Sequence, residues 1–288
     1  MYACVTLPTL EAVKTIAGLY PRWIFRGQHS ATQDLQTTLE RAAVRNSAAF
    51  ATTPDRAEFL RRAAFAELPN REDWILYQFR RRAHLVMSAP PASDARLDWL
   101  AAIQHYGGPT RLLDFTHSFY VATFFAVEQA SEDAAVWGIW APHLEKTSGI
   151  ETDRLDKMNM HAVKLVEAVL RGESRATGVL QVEPVQLNER MAIQKGVFVL
   201  PLEITKPFME NLTQSFQFDF TDHRDAKYQI DLAQFLAYGL CGGPFVVKFV
   251  LPRVEHNRIL QDLAAMNIDA GTLFPGLEGY ARSMHRFV

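Results

Sequence analysis

The sequence has few of the features that mark secreted or membrane-spanning proteins. Two of its 288 residues are cysteines, Cys4 and Cys241, and two such distant thiols predict neither a disulfide framework nor a zinc site. The first residues lack the basic and apolar segments of a signal peptide. No run approaches the roughly 20 apolar residues of a membrane span. We therefore expect a cytoplasmic protein with reduced thiols and no contact with a membrane.

Net charge and common catalytic motifs are also scarce. The formal net charge is −2, which predicts no general attraction to nucleic acid or to an anionic membrane. The sequence contains no GxGxxG after a strand, no P-loop, no HExxH and no GxSxG. Its nine histidines show no metal-binding spacing, so we predict no metal site.

The residues that are present predict an α+β fold with a mixed or antiparallel β core. Hydrophobic residues make up 48% of the sequence, which is enough for a full core. Helical patterns come early and strand patterns late, unlike a regular βαβ alternation. Helices are predicted within residues 31–88 and at Thr6–Leu19, Asp94–Ile103, Ser118–Gln129, Lys157–Leu170, Gln229–Leu240, Arg258–Met266 and Pro275–Phe287. Strands are predicted at Trp23–Phe25, Ala135–Ala141, Gly178–Val185, Gly196–Ile204 and Phe245–Leu251.

The domain organisation is predicted to be simple. No convincing linker interrupts the sequence, which favours one domain over residues 1–288 with a helical insertion at about 31–103. Within that insertion, Thr53, Pro54 and Asp55 form a typical helix start.

The segment QHYGGPTRLLDFT, residues 104–116, places two charges in what resembles a buried strand. Strand alternation would put Arg111 on one face and Asp114 with Thr116 on the other. A buried charge is tolerated when it is paired, so both could join parts of the core. Alternatively, the strand lines a polar cleft, with Asp114 facing a ligand.

Several other polar residues allow either a structural or a functional interpretation. Arg26, in the FRGQ segment at 25–28, is either part of a surface turn or a ligand for phosphate or carboxylate. His105 is either a structural histidine or an acid/base group. Glu189 precedes a predicted strand, and Glu278 lies at a predicted helix start. Each of these glutamates is either an ordinary surface residue or a catalytic acid.

Taken together, the motifs resemble those of the FRG-domain family, which is named for its Phe-Arg-Gly motif. The matching segments occur in the family's order and extend over most of the sequence. They are FRGQ at 25–28, QHYGGPTRLLDFT at 104–116, Ala122 with 124–126, Arg190 with Gln194 and 196–198, and LFPGLEG at 273–279.

The sequence is also similar, more weakly, to ADP-ribosyltransferases of the arginine–serine–glutamate type. Phe25-Arg26-Gly27 is similar to their first element, residues 114–118 to their second, and Glu189 to their glutamate. This resemblance implies an ADP-ribosyltransferase-like fold and NAD as a substrate, with transfer to a protein or nucleic-acid acceptor. A toxin or phage-defence effector, with an antitoxin or regulatory partner, would fit such an activity.

The resemblance also implies roles for individual residues. Arg26 would hold an NAD phosphate, and Thr116 or Ser118 would bind a ribose hydroxyl or position the acid. Glu189, or Glu278 in its place, would stabilise the ribosyl cation. The other implied site residues are two neighbours of Arg26, two residues that could stack on a base, and one that organises the site: Gly27, Gln28, His105, Tyr106 and Asp114.

The two charges of the 104–116 segment would then have separate roles. We expect Arg111 to be structural and to pair with a nearby acid, and we expect Asp114 to face the cleft and organise the site.

Two other classes of function remain open. One is a nucleic-acid-binding or nucleic-acid-processing protein that uses an arginine-rich helical surface, formed by Arg61, Arg62, Arg80, Arg81 and Arg82. The same arginines would equally suit a solvated helix face. The other is a non-catalytic module that binds a partner, in which the polar motifs only join parts of the core.

Overall fold

A mixed eight-stranded sheet forms the centre of the protein. The computed structural model describes residues 2–19, 22–48, 53–147, 164–173, 176–185, 188–216, 227–238 and 245–284. Within these residues the strands are β1 (Tyr2–Thr6), β2 (Trp23–Gln28), β3 (Leu113–Thr116), β4 (Ala134–Trp140), β5 (Val179–Val182), β6 (Gly196–Pro201), β7 (Lys227–Gln229) and β8 (Val246–Leu251).

The strand order is β5-β6-β3-β2-β4-β8-β1-β7. β1 runs parallel to both of its neighbours, β7 and β8, and the other pairs are antiparallel. The predicted α+β class with a mixed sheet is therefore confirmed.

Helices cover both faces of the sheet and fill the connection between β2 and β3. They are α1 (Leu10–Leu19), α2 (Thr38–Ala48), α3 (Pro54–Ala66), α4 (Leu68–Ala83), α5 (Arg96–His105), α6 (Phe119–Val127), α7 (Ala141–Thr147), α8 (Glu189–Ile193), α9 (Phe208–Ser215), α10 (Leu232–Tyr238), α11 (His256–Ala265), α12 (Ala270–Leu273) and α13 (Leu277–Ser283), with residues 164–170 also helical. A short 3₁₀ helix, Arg253–Glu255, precedes α11. Of the described helices, none is both long and apolar enough to cross a membrane.

The helical region between β2 and β3 agrees with the predicted secondary structure of residues 31–88. Thr53 accepts a hydrogen bond from the Arg56 backbone N–H at 3.2 Å, and Pro54 opens α3. This is the arrangement that the Thr-Pro-Asp sequence predicts. Whether residues 31–103 form an insertion within a single domain remains a prediction.

Side chains alternate between the two faces of the sheet along each strand, so neighbouring residues belong to different hydrophobic cores. Phe25 of β2 packs into the core that contains α6, whereas its neighbour Ile24 belongs to the core on the opposite face. Leu113 and Phe115 of β3 join the same core as Ile24, and Leu112 packs into a third core beneath α5. Asp114, between these apolar residues, is exposed.

Three predicted elements differ from the structure. Residues 2–6 form a strand, and the first helix begins at Leu10 rather than Thr6. Residues 227–229 form a strand before α10, where a helix was predicted from Gln229. Both strands belong to the parallel part of the sheet, where they pair with each other across more than 200 residues of sequence. A local sequence pattern does not report a pairing over such a distance.

The third difference concerns residues 104–116, of which only Leu113–Thr116 is a strand. Helix α5 continues to His105, and Gly107 then adopts a positive φ of 79° that ends the helix. Pro109 follows in an irregular segment. Because Arg111 lies before the strand, strand alternation does not determine its direction. Residues 157–163, 239–240 and 285–287 of the predicted helices, and Cys241, lie outside the described residues.

Candidate functional site

A polar cleft of about 310 Å³ opens where β2 and β3 meet helices α5, α6 and α8. Its polar lining comes from segments that are far apart in sequence. These lining residues are Arg26, His29, Gln104, His105, Asp114, Thr116, Asn188, Arg190 and Gln194. The cleft is thus assembled by the tertiary fold.

Gly27 allows the helix beside the cleft to pack directly on β2. A Cβ atom at this position would lie 2.1 Å from the Ala122 carbonyl oxygen and 2.5 Å from the Ala126 backbone nitrogen. No side chain can be accommodated at such distances from backbone atoms. Ser118 begins this helix, α6, by accepting a hydrogen bond from the Val121 N–H. The glycine therefore fixes one wall of the cleft.

Arg26 and Asp114 form a loose pair in the cleft. The Arg26 Nη1 donates to the Asp114 backbone carbonyl at 2.7 Å and lies 3.6 Å from the Asp114 Oδ2. Gln104 Nε2 donates to the same Oδ2 at 2.8 Å. Burial lowers the pKa of Arg26, and the charge of Asp114 opposes that shift. Asp114 therefore lines a polar cleft, as expected.

A second arginine, Arg190, lines the same cleft and was given no role by the sequence analysis. Its guanidinium carbon lies 4.4 Å from the centroid of the Phe274 ring, which Arg282 also covers at 4.1 Å. Burial lowers the pKa of Arg190, and the charges of Glu278 and Asp114 oppose that effect. Two features of the sequence could have indicated a role for Arg190. They are its position in the FRG-like motifs and the presence of the 273–279 segment, which contains Phe274.

His105 contributes a neutral group to the cleft. Burial lowers its pKa, the charge of Arg190 lowers it further, and Glu278 acts in the opposite direction. The imidazole is therefore mainly uncharged at neutral pH, and it can accept a proton there.

Arg111 is structural, as expected. Its Nε and Nη2 donate to the two Glu72 carboxylate oxygens at 2.8 and 2.6 Å, inside the protein. Arg96 adds a contact to Glu72 Oε2 at 3.2 Å. The sequence predicted that an acid would pair with Arg111 but did not identify Glu72.

Thr116 lines the cleft, but its hydroxyl also has a structural role. It donates to the Gln194 carbonyl at 2.7 Å and accepts from the Ser118 N–H at 3.0 Å. Gln194 Nε2 in turn donates to the Leu273 carbonyl at 2.9 Å. These bonds join β3 to the segment after α8 and to the 273–279 segment.

Other predicted site residues do not line this cleft. Gln28 donates to the Asp34 carbonyl and accepts from Trp137 Nε1, so its amide joins parts of the fold. Ser118 caps α6, and Tyr106 lines a separate groove. The fold thus brings five of the predicted residues to the cleft lining, namely Arg26, Gly27, His105, Asp114 and Thr116.

Neither of the two predicted catalytic glutamates is among the residues that line the cleft. Glu189 is exposed in the first turn of α8, a short helix that was not predicted. Glu278 is also exposed and pairs with Arg282 at 2.9 Å. The charge of Glu278 nevertheless acts on both His105 and Arg190.

Metal ligands are not clustered in the part of the chain that the structure describes. Among those residues, no group of three or more His, Cys, Asp or Glu side chains is placed to hold a metal ion.

The cleft belongs in large part to a recognisable domain. The sequence model of the FRG domain matches residues 21–135, a range that contains β2, α5, β3 and α6. The chain therefore contains an FRG domain, which confirms the family prediction. Arg190 and the 273–279 segment lie beyond the matched residues. Comparisons with curated proteins and with solved structures found no match.

Proposed function

We propose that the protein is an NAD-dependent ADP-ribosyltransferase-like enzyme whose cleft holds part of NAD. The observation that carries this proposal is the presence of two guanidinium groups, Arg26 and Arg190, in one cleft with Asp114 and His105. A diphosphate would receive charge-assisted hydrogen bonds from both arginines.

The size and lining of the cleft suit one half of a dinucleotide. Ligand sites commonly have volumes of about 300–1,000 Å³, and this cleft, at about 310 Å³, is at the lower end of that range. The nicotinamide ribose and the diphosphate would lie inside, and the adenosine would extend beyond the rim. Phe125 offers an apolar surface to the nicotinamide ring.

The proposed reaction breaks the bond between the ribose C1′ and the nicotinamide nitrogen. Nicotinamide leaves with the bonding electron pair, and the ribosyl group becomes cation-like. A carboxylate near this charge stabilises the transition state. Neither predicted glutamate lines the cleft, and Glu278 suits the role better than Glu189 because its charge acts on two residues that do line it, His105 and Arg190. Asp114 is a carboxylate in the cleft wall itself.

Transfer is completed when an acceptor nucleophile forms a bond to C1′. The neutral His105 would accept the proton that the acceptor loses. A protein or nucleic-acid acceptor, and a role as a toxin or phage-defence effector controlled by a regulatory partner, are parts of the same proposal.

The test is nicotinamide release from NAD, with and without cell lysate as a source of acceptor. We expect release by the wild type, and at least a tenfold lower rate for folded Arg26→Gln and Glu278→Gln proteins. Arg258→Gln is a matched control, because Arg258 is exposed on α11 and does not line the cleft. Absence of release in any lysate, together with no NAD-induced thermal shift, would overturn the proposal.

Two further measurements separate the other two classes of function. Of the arginines proposed for a nucleic-acid surface, Arg61 and Arg62 both bind Glu58, and Arg80 lies over the Trp99 ring. Steep salt dependence of RNA binding would favour that class. If the protein is a non-catalytic module, replacing Arg26 and Glu189 would lower its stability, and no ligand binding would be lost because the cleft binds none.

A further inference from the structure

A second concave surface lies beside α4, separate from the cleft. It encloses about 560 Å³ between α4, residues 86–87 and the turn that follows α5. Its walls are almost entirely apolar. They are formed by Trp74, Ile75, Phe79, Ala83, Val86, Met87, Ile103, Tyr106, Gly108 and Pro109, with Gln78 and Arg82 at the edge. We call this surface the α4 groove.

The α4 groove exposes unusually large apolar side chains. Trp74 is 61% exposed, Tyr106 67% and Val86 87%. A neighbouring cavity of about 360 Å³ shares Trp74, Ile75 and Pro109 with the groove, so the apolar surface continues on both sides of Trp74. Contiguous exposed patches of this kind, with a polar rim, are typical of interaction sites.

Positive charge borders the groove. Arg82 lines the groove and donates to the Gln78 side chain, and the exposed Arg81 precedes it in α4 and lies over the Tyr77 ring. Both of these partners are uncharged, so the two guanidinium charges are not neutralised by them.

The acidic residues of α4 are directed elsewhere. Glu72 is buried against Arg111 and Arg96, and Asp73 also pairs with Arg96. The acidic residues of α4 are therefore paired with arginines, whereas the charge of Arg82 lies at the groove edge. A ligand that complements this rim carries carboxylates.

We propose that the α4 groove binds an amphipathic helix of a partner protein, whose apolar residues fill the groove and whose acidic residues meet Arg82 at its edge. Recognition of this kind places large apolar residues at i, i+3, i+4 or i+7 in a groove. The groove volume accommodates several such side chains, and its walls are mainly aliphatic.

Stacked nucleobases fit this surface less well. Trp74 and Tyr77 pack against each other, with ring centroids 5.7 Å apart, so each ring has one face occupied. Single-stranded nucleic acids need open aromatic faces along a basic track. The net charge of −2 provides no additional attraction to phosphate.

The α4 groove and the cleft can be tested independently. The C-terminal turn of α5 separates them: Gln104 and His105 line the cleft, whereas Ile103 and Tyr106 line the groove. Trp74 and Arg82 line the groove and do not line the cleft. The proposal therefore does not depend on NAD binding.

The first experiment selects peptides from a phage-displayed library of random 16-residue peptides on the full-length protein. We expect enriched sequences to carry apolar residues at helical spacing and flanking Asp or Glu. They should bind Trp74→Ala at least tenfold more weakly. The matched control is Phe59→Ala, because Phe59 is also 61% exposed but lines neither surface. Enrichment without acidic residues, binding that ignores Trp74, or no enrichment would each overturn the proposal.

The second experiment tests the rim charge with one synthetic peptide from that selection. Fluorescence anisotropy should show at least tenfold weaker binding to an Arg82→Glu variant. A peptide with lysines in place of its acids should recover binding to that variant but not to the wild type. Tighter, Trp74-dependent binding of an oligouridine probe to the wild type would instead identify a nucleic-acid surface and contradict the proposal.

Discussion

Two arginine–carboxylate pairs use residues of the same segment, 104–116, in very different surroundings. Arg111 and Glu72 are buried, with side chains 5% and 1% exposed, and are joined by two short parallel hydrogen bonds. Arg26 and Asp114 line a cleft, where the guanidinium lies 3.6 Å from the carboxylate and 57% of the Asp114 side chain is exposed. The first pair leaves no room for a ligand between its members, whereas the second faces open space.

The difference shows how one motif supports both a core and a site. Arg111 precedes β3 and turns inward to an acid on α4, while Asp114, three residues later, turns toward the cleft. Residues of the first kind are expected to control stability, and residues of the second kind ligand binding. Each of the following changes tests that division.

The largest loss of stability is expected from Glu72→Ala. It would leave Arg111 buried without its main partner, at a cost of about 3–5 kcal/mol in the free energy of unfolding. Replacing both residues by Met should recover part of this loss. Urea denaturation measures both effects.

The control for this change is Lys206→Ala, which removes an exposed pair with Glu210 and should alter stability by less than about 1 kcal/mol. A Glu72→Ala protein as stable as this control would contradict the structural role of the buried pair.

Gly27→Ala should have the next largest effect, because the added Cβ meets backbone atoms of α6 that cannot rotate away. We expect a loss of about 3 kcal/mol from overpacking. Gly18→Ala is the matched control: its Cβ would meet nothing within 4 Å, on the exposed side of α1. That change should stabilise the protein by about 0.5–1 kcal/mol. Equal melting temperatures for the two variants would contradict the close packing of α6 on β2.

Glu40 is a buried acid that, unlike Glu72 and Asp114, accepts hydrogen bonds from backbone N–H groups. The Thr37 and Phe208 N–H groups donate to its Oε2 at 3.4 and 3.3 Å. Burial, which outweighs these bonds and the charges of Arg41 and Arg61, raises the pKa of Glu40 from 4.5 to about 7. Between these values the folded protein binds the extra proton, so stability falls as the pH rises.

The expected loss from this group is about 2 kcal/mol between pH 5 and pH 8. It is measured as the difference in pH dependence between the wild type and Glu40→Gln, in which the contributions of all other groups cancel. If both proteins lose the same stability over this range, Glu40 is not the titrating group.

The smallest effect on stability is expected at the cleft. Arg26→Gln should change the free energy of unfolding by about 1 kcal/mol or less, because the side chain is partly exposed and its pairing with Asp114 is loose. The NAD-induced thermal shift should nevertheless disappear. A large loss of stability in Arg26→Gln would place this residue with Arg111 among the core pairs.

Local sequence patterns predicted much of the fold. Caps and periodicity located α3 and α6, and runs rich in Val, Ile or aromatic residues located β4 and β8. Strands β1 and β7 were not predicted, because they are short and gain their stability from partners distant in sequence.

The site was predictable only in part, for a similar reason. Arg26 and Asp114 lie at recognisable motif positions. Arg190 lines the same cleft because α8 carries it there and because its guanidinium packs on the Phe274 ring. The exposure of Glu189 likewise follows from its place in a short helix that Asn188 caps. Pairing of Arg111 with Glu72, 39 residues earlier, is a tertiary contact that no local pattern specifies.

The most direct measurement is a calorimetric titration of the wild type and Arg26→Gln with NAD and with nicotinamide riboside, which lacks both the diphosphate and the adenosine. If Arg26 and Arg190 hold the diphosphate, the wild type binds NAD at least tenfold more tightly than the riboside, and Arg26→Gln loses that preference. Equal affinity of the wild type for the two ligands, or an unchanged preference in a folded Arg26→Gln protein, would contradict the assignment of the cleft.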